Sequence, residues 1–297
     1  MTLAGRNERV AGMLAMAMGV ASFAFMDAGL KVLAVHYPPV QGAALRGISA
    51  LPIVFAWVLI AGGTRQLWRV RWGLHLVRGV LSVAMLVTFM FALQGFSLTK
   101  AYALFFVAPL LIVVFSIFLL GERVRRPQWL AILVGFAGVL IAAEPDVGGL
   151  GWWRTLAILG TALCYALSNV LVRIISRTDT TQSMVFWMTC MLAIGATTLA
   201  LPVWKPVLPG HYALIIGVAI TGALSQWGIT YAFRHAAPAS AATIEYSALA
   251  WGMLIDFVAW SVTPGWRTLA GAAVIVGSGL YLLRHEARYS PAEEVHP

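Results

Sequence analysis

The amino-acid sequence predicts an all-α integral membrane protein with ten transmembrane helices, arranged as two five-helix repeats of inverted topology. Three observations carry this. The 297 residues are 61% hydrophobic and 10% charged, against about a quarter charged in soluble domains, and no water-soluble core hides that much apolar surface. Ten apolar stretches approach the roughly 20 residues that a helix needs to cross the hydrocarbon layer. They divide around Glu144 to Gly151 into two sets of five, and an odd number of crossings per set leaves the second set upside down, as in transporters.

In chain order the first set is predicted over 10–33, 39–61, 73–95, 99–120 and 127–143, and the second over 152–173, 183–203, 211–232, 238–260 and 266–284. The first stretch follows Arg6, Glu8 and Arg9. It is longer than a signal-peptide core and lacks a small-residue cleavage pattern, so it reads as a retained span. The second span carries Arg46 and the third Gln94. The fourth contains Pro109, which frees a backbone carbonyl and leaves open either a kink beside a cavity or mere packing noise. Arg126-Pro127-Gln128-Trp129 introduces the fifth span, and Thr263-Pro264-Gly265-Trp266 introduces the tenth, 137 positions later. Each is followed by a glycine-bearing helix (Gly135, Gly138; Gly271, Gly277, Gly279), with small residues that let membrane helices touch. The organisation is therefore a repeat over 1–144, a linker over 145–151, an inverted repeat over 152–286 and a short tail over 287–297.

The formal charge of +9 does not form one basic face; basic residues come in twos and threes between apolar blocks. That distribution speaks for membrane orientation and against nucleic acid. Fourteen basic residues, all Arg, from Arg6 and Arg9 to Arg284 and Arg288, fall on one side of the spans. Six fall on the other: Lys31, Arg46, Lys100, Arg154, Lys205 and Arg267. The positive-inside rule then puts both termini in the cytoplasm.

Ionisable groups inside spans cost about 2.5 to 3.5 kcal/mol on insertion scales, so each is a functional candidate. Asp27 and Lys31 lie four apart on one face of the first helix and are placed to pair, with Arg46 competing for Asp27. Two readings stay open. These residues form an outer-mouth cluster that meets a zwitterion's carboxylate and amine, or a structural ion pair with Lys31 snorkelling to the surface. Glu245, followed by Tyr246, is the only carboxylate well inside the ninth span. It suits a proton-coupling group or a partner for a substrate ammonium, with a carboxyl hydrogen-bonded in the bundle as the alternative. Asp256 is expected close enough to the surface to be solvated. Gln94, Tyr165, Asn169, Gln226, Trp227, Tyr231 and Trp251 supply amides and rings for a cavity holding an apolar side chain, although Trp and Tyr also belt membrane interfaces.

Cys164 and Cys190 form no CxxC or Cys/His spacing, and no metal site or cofactor is indicated. An ATP-driven pump is disfavoured by the absence of GxxxxGK[ST]. The six histidines fall in loops, span ends or the tail, which argues against an intramembrane enzyme, and no ring of repeated filter residues suggests a channel.

From Phe96 to Pro145 the chain reads Ser97-Leu-Thr-Lys-Ala-Tyr-Ala, then Pro109 within an apolar helix, Leu120-Gly121-Glu122-Arg123, and a glycine-rich helix closing at Glu144-Pro145. This resembles the repeat unit of the EamA-type transporters of the drug/metabolite transporter superfamily. The resemblance implies a bacterial inner-membrane exporter of small metabolites, most similar to exporters of aromatic and other apolar amino acids; the alternative is a permease for uptake or export of amines, nucleoside or sugar derivatives or drugs. Gly121 and Glu122 match the family's Gly-Glu; Glu122 reads as a structural salt-bridge member. The ninth span carries Asp256-Phe257-Val258-Ala259-Trp260 without that pair, and Glu245-Tyr246 near the counterpart of Pro109. Expected partners are the lipid bilayer, a small substrate and protons, with no nucleic acid and a monomer sufficing. Tyr165, Asn169, Gln226, Trp227, Glu245 and Tyr246 are expected to line a midplane cavity for alternating access, with Asp27 and Arg46 at its outer mouth.

Overall fold

The computed structural model describes residues 3–60, 67–68, 70–121, 126–143, 149–235 and 244–289. Glu122, most of the predicted linker and the end of the tail lie outside these residues, as do the side chains of Arg173, Tyr231 and Arg234. The described chain is helical throughout, in the order α1 (Leu3–His36), α2 (Pro39–Ile60), α3 (Trp72–Leu93), α4 (Leu98–Phe105), α5 (Ala108–Leu120), α6 (Arg126–Ala143), α7 (Leu150–Ile175), α8 (Thr181–Ala200), α9 (Tyr212–His235), α10 (Ala248–Trp260) and α11 (Trp266–Tyr289). Single 3-10 turns at Leu201–Val203 and Pro209–His211 join α8 to α9. Seven stretches among the described residues are long and apolar enough to cross a membrane, and Trp129–Ala142 and Ala248–Trp260 are shorter apolar helices.

Continuous apolar composition makes these segments helices, because a backbone in lipid must satisfy its own hydrogen bonds. The helices pair lengthwise, α1 along α9, α3 along α7, α2 along α8 and α6 along α11. Glycines permit two close backbone-to-backbone approaches. A Cβ at Gly228 would lie 2.6 Å from the Ala15 carbonyl oxygen, and one at Gly271 2.6 Å from that of Gly138. Gly277, by contrast, faces open space. Fully buried Met90, Leu93, Leu98, Leu104, Leu110 and Ile158 fill the centre, where α3, α4, α5 and α7 converge.

The predicted fourth span is broken. Pro109 has no N–H to donate to Phe105, and its ring crowds that carbonyl, so the helix cannot run through. It ends at Phe105, turns at Phe106 and Val107, and restarts at Ala108 with Pro109 in its first turn. The ninth span breaks too, at Tyr246 and Ser247 before Ala248, and it does so without a proline. Both restarted segments also end alike. Gly121 closes α5 in the left-handed region at φ 72° and Ser261 closes α10 there at φ 52°. The N–H groups of Ser261 and Val262 return to the carbonyls of Phe257 and Asp256 at 3.0 and 3.1 Å, a Schellman-type stop that normally takes glycine.

Contacts define the two ends of the bundle. On one, here the Tyr37 face, the Tyr37 hydroxyl meets His211 Nδ1 at 2.8 Å and accepts from the Leu208 N–H at 3.0 Å, while Gln41 exchanges hydrogen bonds with the backbone of Lys205. On the other, the Asp179 face, His75 Nε2 lies 2.8 Å from the Asp179 carboxylate, which also accepts from the Arg71 N–H at 3.1 Å and the Thr178 hydroxyl at 2.7 Å. Nearby, the buried Arg78 guanidinium donates to Ser168 Oγ and the Met184 carbonyl, and Trp187 Nε1 donates to the Leu67 carbonyl at 2.7 Å.

Candidate functional site

The short helix α4 organises the polar interior. Ser97 starts it as an N-cap, accepting from the Lys100 N–H at 3.1 Å. Three residues apart on one face stand Thr99, Tyr102 and Phe105, and each meets a different helix. Their partners form three levels, from the Tyr37 face to the middle of the bundle.

The first level is built on Asp256 of α10. Its Oδ1 accepts from the Leu98 N–H at 3.0 Å and Lys31 Nζ at 2.9 Å. Its Oδ2 accepts from the Thr99 N–H and hydroxyl, both at 2.8 Å. The carboxylate is fully buried and Lys31 nearly so. A carboxylate at this place opposes the positive end of α4 and satisfies two otherwise orphaned donors. The Lys31 ammonium also sits 4.1 Å from the centre of the Trp260 ring. Two expectations are therefore corrected. Asp256 is buried instead of solvated, because four donors replace its water, and Lys31 pairs with Asp256 and not with Asp27 on its own helix.

At the second level Asp27, 1% exposed, accepts from the Tyr102 hydroxyl at 2.8 Å. The Arg46 guanidinium acts on it through space while Arg46 Nε donates to Met26 Sδ at 3.3 Å. Gly252 makes room for Tyr102; a Cβ there would lie 2.8 Å from the ring. Asp27 and Arg46 thus lie within electrostatic reach of each other. Tyr102 is the member that sequence reasoning missed, and so is Thr99 one level above. The i, i+3, i+6 spacing of Thr99, Tyr102 and Phe105 was the available signal.

The third level lies at the two breaks. The Tyr165 hydroxyl donates to Glu245 Oε1 at 3.4 Å, and the Asn169 amide donates to the Tyr165 carbonyl at 2.9 Å. Phe105 stacks edge-on against Tyr165 at 5.1 Å and Phe106 against Tyr246 at 5.0 Å. The Tyr246 hydroxyl is buried without a hydrogen-bond partner and fills the space where Gly279 lacks a side chain. Trp251 packs against Phe25 of α1, centroids 5.9 Å apart. Aromatic walls around one carboxyl and one amide can hold a flat or apolar body and a single polar end.

The remaining sequence candidates lie elsewhere. Gln94 caps the end of α3 and donates to the Ala34 carbonyl at 3.1 Å, on the Tyr37 face. Gln226 and half-exposed Trp227 line a separate apolar cavity of about 290 Å³, with Ile53, Val54 and Trp57 of α2 and Val185 of α8. The structure thus brings Tyr165, Asn169, Glu245 and Tyr246 together and does not bring Gln226 and Trp227 to them. Among the described residues no three His, Cys, Asp or Glu side chains are grouped to hold a metal ion.

Comparison with known proteins bears on this geometry. Residues 10–143 match the EamA-like transporter family. The riboflavin transporter of Vibrio cholerae is 25% identical over 292 residues, covering 97% of this chain and 98% of the relative. The pseudopaline exporter of Pseudomonas aeruginosa is 26% identical over 280 residues, covering 92% and 96%. The S-adenosylmethionine uptake transporter of Rickettsia conorii is 22% identical over 214 residues, 72% of each chain. A crystal structure of a protein 21% identical to this one superposes with a TM-score of 0.64 over 95% of this chain and 99% of the other, so the fold is shared. The chain is a multi-pass membrane protein that matches the EamA-like transporter family over residues 10–143, and the relatives to which it is similar are transporters and not enzymes.

Proposed function

We propose that the protein is a secondary transporter of the bacterial inner membrane that exports small zwitterionic metabolites, foremost amino acids with aromatic or other apolar side chains. The observation that carries this reading is the second level of the site. Asp27 and Arg46 place an acidic and a basic group within electrostatic reach of each other inside the membrane, with the Tyr102 hydroxyl donating to Asp27, and such groups in spans mark substrate or ion paths. An ammonium suits Asp27, a carboxylate suits Arg46, and the rings of Phe105, Phe106, Tyr165 and Tyr246 suit the side chain. Both termini are cytoplasmic in this reading, and the Tyr37 face is the outer one. A monomer suffices.

Alternating access follows from an inverted repeat, for which three features argue. Exchanging α1 with α7 and α3 with α9 maps the α1–α9 pair onto the α7–α3 pair. The segments Ala108–Leu120 and Ala248–Trp260 match in length, 140 positions apart, each after a turn and before a left-handed residue. His75 with Asp179, and His211 with Tyr37, occupy equivalent joints at opposite faces. Broken helices meeting at the middle are a recurrent transporter binding-site device. A second reading, uptake or export of a flat heteroaromatic solute, is favoured by the riboflavin transporters among the relatives and by the aromatic third level.

Transport into and out of proteoliposomes tests both readings, with labelled amino acids and riboflavin, with and without a pH gradient. Movement of aromatic amino acids above empty vesicles is the expected result. Movement of riboflavin alone replaces the first reading with the second. Glu245→Gln is expected to abolish pH dependence while leaving facilitated transport; unchanged pH dependence would remove Glu245 from coupling.

A further inference from the structure

We infer that the cradle formed by the Lys31 ammonium, the Leu98 and Thr99 N–H groups and the Thr99 hydroxyl is a carboxylate-binding site on the transport path. Asp256 fills it when the Tyr37 face is closed, and a solute carboxylate fills it when α10 withdraws. The inference rests on the alternating-access reading above.

The chemistry of the cradle is visible because a carboxylate already sits in it. Four donors reach its two oxygens, two to each, all at 2.8 to 3.0 Å. That division asks for an anion with two oxygens on one carbon; a spherical halide meets either pair but not both. The site is more than a helix start. A lysine and a hydroxyl join the two N–H groups, and the Trp260 ring covers the ammonium.

The connection of the donors to their occupant makes exchange possible. Lys31 is on α1 and Leu98 and Thr99 are on α4, whereas Asp256 is on α10, whose start is the turn at Tyr246 and Ser247. Swinging α10 at that turn removes the carboxylate and leaves all four donors behind. Removing one member of a buried pair strands an uncompensated charge, which is strongly unfavourable. An entering carboxylate removes that obstacle, so opening and carboxylate binding become one event. Arg46 lies one level deeper, and a solute moving outward passes from one cation to the next.

The test uses full-length Asp256→Ala in detergent, with sodium formate as the probe and sodium chloride at equal ionic strength as the control. Thermal unfolding is expected to show a saturable rise of a few degrees with formate, none with chloride, and none with formate in the wild type, whose cradle is filled. Adding Lys31→Met should abolish the rise. Folded Asp256→Ala with no formate effect, or with an equal chloride effect, overturns the inference. Where Asp256→Ala does not fold, formate in the growth and solubilisation media is expected to restore its yield, and failure to do so is equally decisive. Because unfolding needs no transported substrate, formate binding by a protein that moves no amino acid would sink the amino-acid reading and leave the cradle standing.

Discussion

The two ends of the bundle use the same joint with different chemistry. At the Asp179 face a histidine at the start of α3 meets an acid in the α7–α8 connection, 2.8 Å away. At the Tyr37 face a histidine just before α9 meets a phenol in the α1–α2 connection, also at 2.8 Å. The acid at this second face sits instead on α10, where it ties α1 and α4 together. In the alternating-access reading the difference separates fastening from gating. Asp179 joins α3 to the end of α7, two helices already packed along their lengths. Asp256 joins a half-helix to its neighbours, and half-helices have a turn about which to move. In the proposed cycle the Asp179 joint therefore holds one unit together, and the Asp256 joint opens.

The largest effect that tests this contrast is expected at Asp179. Asp179→Ala leaves buried His75 and the Arg71 N–H without their acceptor, a loss on the order of 3 kcal/mol. Melting temperature should fall while transport per folded molecule stays the same; a change in transport at unchanged melting temperature would make this joint a gate and break the comparison. The same joint gives an acid limb. Burial opposes the Asp179 charge, but hydrogen bonds from Thr178, His75 and the Arg71 N–H outweigh it and hold the carboxyl below its ordinary range. A depressed folded value means that the stabilisation is complete above the ordinary carboxylate value and is lost as pH falls through the folded one. Melting temperature is expected to drop as pH is taken below about 4, and Asp179→Asn to flatten that part of the curve.

Tyr37→Phe provides the neutral counterpart. It removes the hydroxyl that bonds His211 and the Leu208 N–H, at about 1 kcal/mol. The acid limb should not change, since no carboxylate is involved. An acid limb altered by Tyr37→Phe would show that the two joints are coupled.

Hydropathy made the helices legible, because length and apolar composition are all that a membrane asks of a span. It also drew the boundaries of α2, α3 and α6 to within a few residues. The break in the fourth span had a signal in Pro109, which by itself left a kink and mere packing equally open. The break in the ninth had none, since Ile244 to Ser247 carries no proline and turns through tertiary contacts such as Phe106 on Tyr246. Glu245, Tyr165 and Asn169 could be picked out as polar residues in apolar helices. Their separation from Gln226 and Trp227 could not, because helix rotation is set by packing and not by composition. Asp256 was misread for a related reason: its nearness to a helix end suggested water, whereas its partners come from 157 and 225 positions away.

The smallest effects concern the two left-handed stops. Gly121 and Ser261 end matching segments at φ 72° and 52°, so the missing second Gly-Glu changed the residue without changing the turn. A left-handed conformation costs a residue with a Cβ roughly 1 to 2 kcal/mol. Glycine escapes that strain but gives up about 0.4 to 1 kcal/mol through its freer unfolded chain. Gly121→Ala should therefore destabilise by about 0.5 to 1 kcal/mol and Ser261→Gly stabilise by a similar amount, read as opposite shifts of the melting temperature. If Ser261→Gly destabilises instead, the serine side chain contributes something beyond the turn, and the two stops are equivalent in backbone alone.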